Sequence, residues 1–211
     1  MSRFEQTDFS TKIASELQGQ AIEKEKKRIK DALSRGEILG EKEAIFLVEN
    51  HSFRDFRFNI ESFTNLSEET ANFLIRNKCS GIVVDYPEKF GIILDESWAT
   101  KMIENGGSYP VAQNPEKFKI TLDDTWATKM IENRRPGAVE EGIKNFTNLS
   151  EKTACTLIEN GCTWAVCEGI SSFTNLSEKT ARALIEKTNR FLLYKIRKNS
   201  VSPLMMYGQQ K

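Results

Sequence analysis

The residues that could carry chemistry are few and widely separated along the chain. The four cysteines, Cys79, Cys155, Cys162 and Cys167, form no C-x-x-C pair, and His51 is the single histidine. A zinc site needs four nitrogen or sulfur ligands, and these spacings match no usual zinc pattern. A nucleophilic cysteine would need an activating base, for which only one imidazole is present. We therefore expect reduced, buried thiols and no metal site.

The sequence also lacks the motifs of the common catalytic classes. It contains no G-x-S-x-G, G-x-x-x-x-G-K-[ST], G-x-G-x-x-G or H-E-x-x-H. Acid pairs such as Asp123-Asp124 occur, but they stand at the start of a recurring helix pattern. We expect a protein that is not an enzyme and that needs no cofactor.

The composition indicates a chain without a strong overall charge. Thirty Lys and Arg residues balance thirty Asp and Glu residues, so no global field steers the chain onto nucleic acid or an anionic membrane. No apolar stretch approaches the roughly 18 residues of a membrane-spanning helix. Residues Met1–Ser10 lack the pattern of a secretory signal. We expect a cytoplasmic protein with no membrane partner.

Six segments of the sequence align without a gap and identify the elements that position these residues. Their leading Leu residues are separated by 27, 28, 28, 27 and 27 positions. The segments are LGEKEAIFLVEN (39–50), LSEETANFLIRN (66–77), LDESWATKMIEN (94–105), LDDTWATKMIEN (122–133), LSEKTACTLIEN (149–160) and LSEKTARALIEK (176–187). A period of this length is typical of a repeat protein in which each unit buries its apolar face on its neighbours.

Each of the six segments has the pattern of a short helix. The second position is Ser or Asp in five of six copies, and these residue types cap helix N-termini. The third position is always acidic, which suits the positive end of the helix dipole. An Ala column is followed three and four residues later by apolar residues, so each helix of about ten residues has one narrow buried stripe.

A second apolar column lies seventeen residues after each leading Leu. Its members are Phe56, Val83, Val111, Val139, Val166 and Leu193. Aromatic and β-branched residues surround this column, for example in Gly81–Tyr86, which favours a short strand with the column facing inward. The sequence therefore predicts strand, return loop and helix in each unit.

This unit, together with Cys79 and Cys162 soon after two of the helices, resembles the leucine-rich repeats. The cysteine-containing and the divergent bacterial varieties are the most similar, over residues 39–196, although the strand segments do not spell L-x-x-L-x-L-x-x-N. The resemblance implies an α/β solenoid of about six strand-loop-helix units with a parallel concave sheet. An all-α repeat solenoid is the alternative, because periodicity does not distinguish a short apolar run from a buried helix.

The two ends of the chain differ from the repeats. Residues 1–38 are predicted as an N-terminal helical cap or degenerate repeat, residues 39–196 as the repeat solenoid, and residues 197–211 as a basic tail. Residues 39–186 carry 16 basic and 23 acidic residues, a net charge of −7, whereas six basic and no acidic residues follow Glu186. Contact of the tail with an acidic surface is one hypothesis, and a solubilising end is the other.

The residues that flank the inward column predict the function. In a strand-and-helix solenoid they would form an exposed, mostly small or apolar row on the concave sheet, and a partner has to cover such a row. We expect a non-catalytic protein–protein interaction module or scaffold subunit. Its partner-binding residues would be Asp55, Arg57, Ile82, Val84, Ala112, Glu140, Ala165, Cys167, Leu192 and Tyr194. A register error of one residue would turn this row inward.

Two further hypotheses concern other surfaces. Trp98 and Trp126 occupy one column of adjacent repeats, beside Lys101 and Lys129, and form a second candidate contact patch on the helices. Packing between neighbouring helices is the alternative explanation of the tryptophans. A nucleic-acid-associated accessory protein that uses the basic tail is the alternative function, since the repeats themselves are net acidic.

Overall fold

The computed structural model describes the backbone of residues 3–188 and the side chains of residues 15–188. The chain consists of two compact units, Met1–Leu94 and Asp95–Lys211. Regular structure within residues 3–188 is helical, apart from three isolated bridges between parallel segments. The predicted α/β leucine-rich repeat with a concave sheet is therefore wrong, and the all-α repeat alternative is confirmed.

Each repeat contains a nine-residue helix, a turn, a six-residue helix and a 3-10 helix. In chain order the α-helices are α1 (Arg3–Ser34), α2 (Glu41–Glu49), α3 (Phe53–Phe58), α4 (Glu68–Arg76), α5 (Ser80–Asp85), α6 (Glu96–Glu104), α7 (Ser108–Gln113), α8 (Asp124–Glu132), α9 (Pro136–Glu141), α10 (Glu151–Glu159), α11 (Thr163–Glu168) and α12, described over 178–188. The 3-10 helices are Ile60–Ser62, Pro87–Phe90, Pro115–Phe118, Ile143–Asn145 and Ile170–Ser172. We call the nine-residue helices α2, α4, α6, α8 and α10 helix A, and the six-residue helices α3, α5, α7, α9 and α11 helix B.

Helix A forms where the aligned segments predict it. The side chains of Ser67, Asp95 and Ser150 each accept a hydrogen bond from the backbone N–H three residues later, as N-cap residues do. At Gly40, which has no side chain to cap with, the carboxylate of Glu43 accepts from the Gly40 N–H instead. The Ala column is fully buried in Ala44, Ala71, Ala99, Ala127 and Ala154. The predicted buried stripe is thus confirmed in these five helices.

An Asn closes helix A in five repeats. The side-chain amides of Asn50, Asn77, Asn105, Asn133 and Asn160 each donate to the carbonyl oxygen four residues earlier. The next residue adopts a left-handed backbone conformation, with φ of 57° at His51 and 63° at Lys78. This conformation ends the helix and turns the chain toward helix B. The single histidine is therefore a turn residue.

The second apolar column lies in helix B and not in a strand. Ile82, Val83 and Val84 are consecutive and all buried, whereas a strand with one solvent face would bury only alternate residues. Three consecutive buried residues fit a short helix that has neighbours on more than one side. Pro136 is the first residue of α9, a position at which a helix needs no N–H donor. The β-branched residues thus reflect burial and not an extended backbone.

Carboxylates at the start of three of the nine-residue helices join them to the first turn of the corresponding helix in the next repeat. The Glu151 carboxylate accepts hydrogen bonds from the Ser177 backbone N–H, the Ser177 hydroxyl and the Thr180 hydroxyl. These hydrogen bonds lower the pKa of Glu151 to about 2, and the bond from the Ser177 hydroxyl makes the largest contribution. Equivalent contacts link Glu41 to Ser67 and Thr70, and Asp124 to Ser150 and Thr153. These three members of the acidic column therefore connect repeats in addition to facing the helix dipole.

The C-terminal part of α1 packs on the first repeat. Ile29 and Ala32 are buried, and ion pairs join Arg28 to Glu43 at 3.0 Å and Lys30 to Asp55 at 3.1 Å. One continuous helix covers residues 3–34, so no separate repeat helix is present at its start. The division into residues 1–38, 39–196 and 197–211 stays a prediction.

Candidate functional site

The predicted apolar contact row is not exposed. Ile82 is 5% exposed, and Val84, Ala112 and Ala165 are completely buried. The prediction placed them outward because side chains alternate between the two faces of a strand. In helix B, residues two apart instead lie on different sides of the helix, where neighbouring helices cover these four side chains. The concave sheet is absent from the described residues, and these four side chains form part of the core.

The polar members of the predicted row are more accessible. Asp55 is half-buried, and Arg57 is exposed and donates a hydrogen bond of 2.9 Å to the Asp85 carboxylate. Glu140 and Cys167 are half-buried in α9 and α11. The predictions for Leu192, Tyr194 and the basic tail 197–211 lie outside the described residues. Among the predicted contact residues that the structure describes, only Arg57 has an exposed side chain.

Trp98 and Trp126 are buried, at 9% and 8% exposure. The ammonium group of Lys101 lies 4.3 Å from the Trp98 ring centroid, and that of Lys129 lies 4.7 Å from the Trp126 ring centroid. Lys129 also donates a hydrogen bond to the Thr100 hydroxyl of the preceding helix A. The tryptophan rings therefore offer little free surface to a partner, and each is partly covered by a lysine of its own helix.

The candidate site is an open groove between α3 and α5, with a volume of about 690 Å³. Apolar side chains of Phe53, Phe58 and Ile82 line it, together with Arg54, Arg57, Asn77, Lys78, Cys79 and Gly81. The Phe58 side chain is 72% exposed. A bulky aromatic residue left in water beside an open groove is typical of a contact surface and not of a core.

The groove exists because Gly81 has no side chain and no neighbour fills the space. A Cβ atom placed at Gly81 would have no other atom within 4 Å. The equivalent glycine of α9, Gly137, is covered, since a Cβ atom there would lie 2.6 Å from the Tyr109 hydroxyl oxygen. Arg54 holds the position that corresponds to Tyr109, but its guanidinium group lies over its own helix, 5.4 Å from the Phe58 ring centroid. The space beside Gly81 of α5 therefore stays open.

Positive charge surrounds the groove. Arg54, Arg57 and Lys78 line it, and no carboxylate is among its lining residues. Arg54 and Lys78 are exposed, while Arg57 shares its charge with Asp85 at the edge. Since residues 39–186 carry a net charge of −7, this cluster stands out against the charge of the repeats around it. The site thus combines an apolar floor, formed by Phe53, Phe58 and Ile82, with a cationic rim, formed by Arg54, Arg57 and Lys78.

One thiol and no imidazole or carboxylate line the groove. Burial raises the pKa of the Cys79 thiol to about 11, so the thiol is protonated and poorly nucleophilic near neutral pH. The single imidazole, His51, makes an edge-to-face contact with Phe53 at 5.8 Å and does not line the groove. No cluster of three or more potential metal ligands occurs within the described side chains. None of the described helices is long and apolar enough to span a membrane.

Sequence reasoning found two residues of this groove and missed the others. Arg57 and Ile82 belong to the predicted row, although the Ile82 side chain that lines the groove is largely buried. Arg54, Phe58 and Gly81 were not predicted. The spacing of Arg54 and Phe58 is a usable signal, because residues four apart meet on one face of a helix. It points to a surface pair only when helix B is recognised as a helix.

No family model matches the sequence, and neither the curated proteins nor the solved structures gave a significant match. We therefore infer function from the geometry and the charge of the groove.

Proposed function

We propose that this protein is a non-catalytic helical repeat module that binds a protein partner through the groove between α3 and α5. The observation that carries the proposal is the exposed Phe58 side chain beside the open space at Gly81. Apolar surface in contact with water is costly, and a partner that covers it recovers this free energy. Aromatic and arginine side chains are also the residue types that contribute most to binding at protein interfaces.

The proposal includes a cytoplasmic location. The four cysteines Cys79, Cys155, Cys162 and Cys167 are all unpaired, as suits a reducing compartment. The proposal does not include the concave sheet, because the fold contains none within residues 3–188. The contact surface is instead formed by α3 and α5, two consecutive helices B.

A selection of short random peptides displayed on phage tests the proposal. We expect the selection on the parent protein to enrich binding peptides. These peptides should bind the variant Gly81→Leu at least about tenfold more weakly, because the leucine side chain fills the groove. The space beside Gly81 is free, so the variant should fold as the parent does. Gly19→Leu is the matched control, since Gly19 is exposed on α1 and a Cβ atom there also has no neighbour within 4 Å.

The selection has two contradicting outcomes. Peptides that bind Gly81→Leu as well as they bind the parent protein would place binding outside the groove. A selection that yields no binding peptide at all would also count against the proposal, because a working groove of this size should retain at least weak ligands. Circular dichroism of both variants confirms that they are folded.

A further inference from the structure

We infer that the groove between α3 and α5 takes an acidic peptide segment that carries one bulky apolar anchor residue. This inference rests on the proposed function and adds the chemistry of the partner. It follows from three properties of the groove, namely its floor, its rim and its length.

The apolar floor of the groove favours a bulky apolar residue in the partner. The rings of Phe53 and Phe58 line the open space, the largely buried side chain of Ile82 lies beneath it, and Gly81 contributes no side chain. An apolar side chain that enters this space loses contact with water and covers the exposed ring of Phe58. A polar or charged side chain in the same place would lose its hydration without gaining a hydrogen bond from the floor. The central residue of the partner is therefore bulky and apolar.

The rim selects the charge. Arg54 and Lys78 are exposed cations on the groove, and Arg57 adds a third whose partner is Asp85. The other neighbouring carboxylate, Asp55, is paired with Lys30 of α1. Acidic side chains on either side of the anchor would meet these cations, whereas basic ones would be repelled. Complementary rim charges raise the association rate and exclude wrong partners more than they raise affinity.

The length of the groove limits the partner to a short segment. Six residues of helix rise about 9 Å, which is the length of α3 and of α5. An extended peptide covers this distance with about three residues. One anchor with an acidic residue on each side therefore fills the site, and longer contacts would need surfaces outside it.

Fluorescence anisotropy with labelled synthetic peptides tests the inference on the full chain. The first probe is a short run of glutamates with one central phenylalanine. The second replaces the phenylalanine by serine, and the third replaces the glutamates by lysine. We expect binding of the first probe that weakens as salt rises from about 0.05 to 0.5 M, and at least about tenfold weaker binding of the other two. A labelled oligouridine tests whether a nucleic acid takes the site instead.

Two protein variants locate the charge effect. Arg54→Gln/Lys78→Asn removes two rim cations and should weaken the first probe about three- to tenfold, a loss that disappears at high salt. Asn suits position 78 because the backbone there is left-handed. The control Lys144→Gln/Lys119→Asn removes two exposed cations outside the groove, and position 119 is also left-handed. The control should bind as the parent does.

The outcomes separate this inference from the proposed function. If the lysine probe or oligouridine binds as tightly as the glutamate probe, the inference of an acidic partner is wrong. If the first probe does not bind but the selected peptides require Gly81, the inference fails and the proposed function stands. If neither the probe nor any selected peptide depends on Gly81, both fail.

Discussion

Two pairs of consecutive short helices differ in the space beside an equivalent glycine, which is open in the pair α3 and α5 and occupied in the pair α7 and α9. Beside α5 the space at Gly81 is open, whereas beside α9 the space at Gly137 is occupied by Tyr109 from α7. Arg54, the counterpart of Tyr109, lies over Phe58 of its own helix. The backbone elements are the same length in both places. The space beside an equivalent glycine is therefore open or occupied according to where the side chain of the preceding helix B lies, while the helix lengths stay the same.

The largest expected effect comes from filling the two equivalent positions with the same residue. Gly137→Leu should lower the free energy of unfolding by roughly 1 kcal/mol, because the new side chain collides with the Tyr109 hydroxyl oxygen and the tyrosine side chain has to move. Gly81→Leu should leave it unchanged or raise it by up to about 0.5 kcal/mol, because leucine favours a helix over glycine and meets no neighbour. Urea denaturation followed by circular dichroism measures both values.

A double variant checks the cause of this difference. Tyr109→Ala/Gly137→Leu should recover most of the stability lost in Gly137→Leu, since the leucine then occupies the space that the tyrosine ring has left. If Gly137→Leu is as stable as the parent protein, or if the double variant is no better than the single one, Tyr109 does not cover Gly137 as described.

A separate prediction concerns reactivity at the groove. Burial raises the pKa of Cys79 from about 9 to about 11, so its thiolate fraction at about pH 8 should be roughly 100-fold below that of an ordinary thiol. Alkylation of Cys79 by iodoacetamide, followed by peptide mass spectrometry, should be slow and should accelerate as pH rises toward 11. A short cysteine peptide is the control. Equal rates for the two thiols at about pH 8 would show that the thiol is not shielded.

The helix A segments could be predicted from the sequence because several local signals agree there. Caps such as Ser67 and Asp95, an acidic first turn and a buried stripe recur at helical spacing over a full nine residues. The contacts from Glu41 and Glu151 to the next repeat could not be read from any one repeat, since they join residues 26 and 29 positions apart.

The helix B segments were predicted wrongly because they are too short for their period to be read. Six residues give fewer than two helical turns, and Ile82, Val83 and Val84 favour strands by propensity although they lie buried in a helix. The candidate site followed the same error, because facing strands and facing helices expose different residues. Phe58 and Arg54 emerge as a surface pair only in the helical register.

Backbone amide chemical shifts, recorded by nuclear magnetic resonance during titration with the glutamate–phenylalanine probe, test the central claim most directly. The account predicts saturable shifts within residues 53–58 and 77–82, and the loss of these shifts in Gly81→Leu. Shifts centred on the buried tryptophans Trp98 and Trp126, or shifts that persist unchanged in Gly81→Leu, would contradict it.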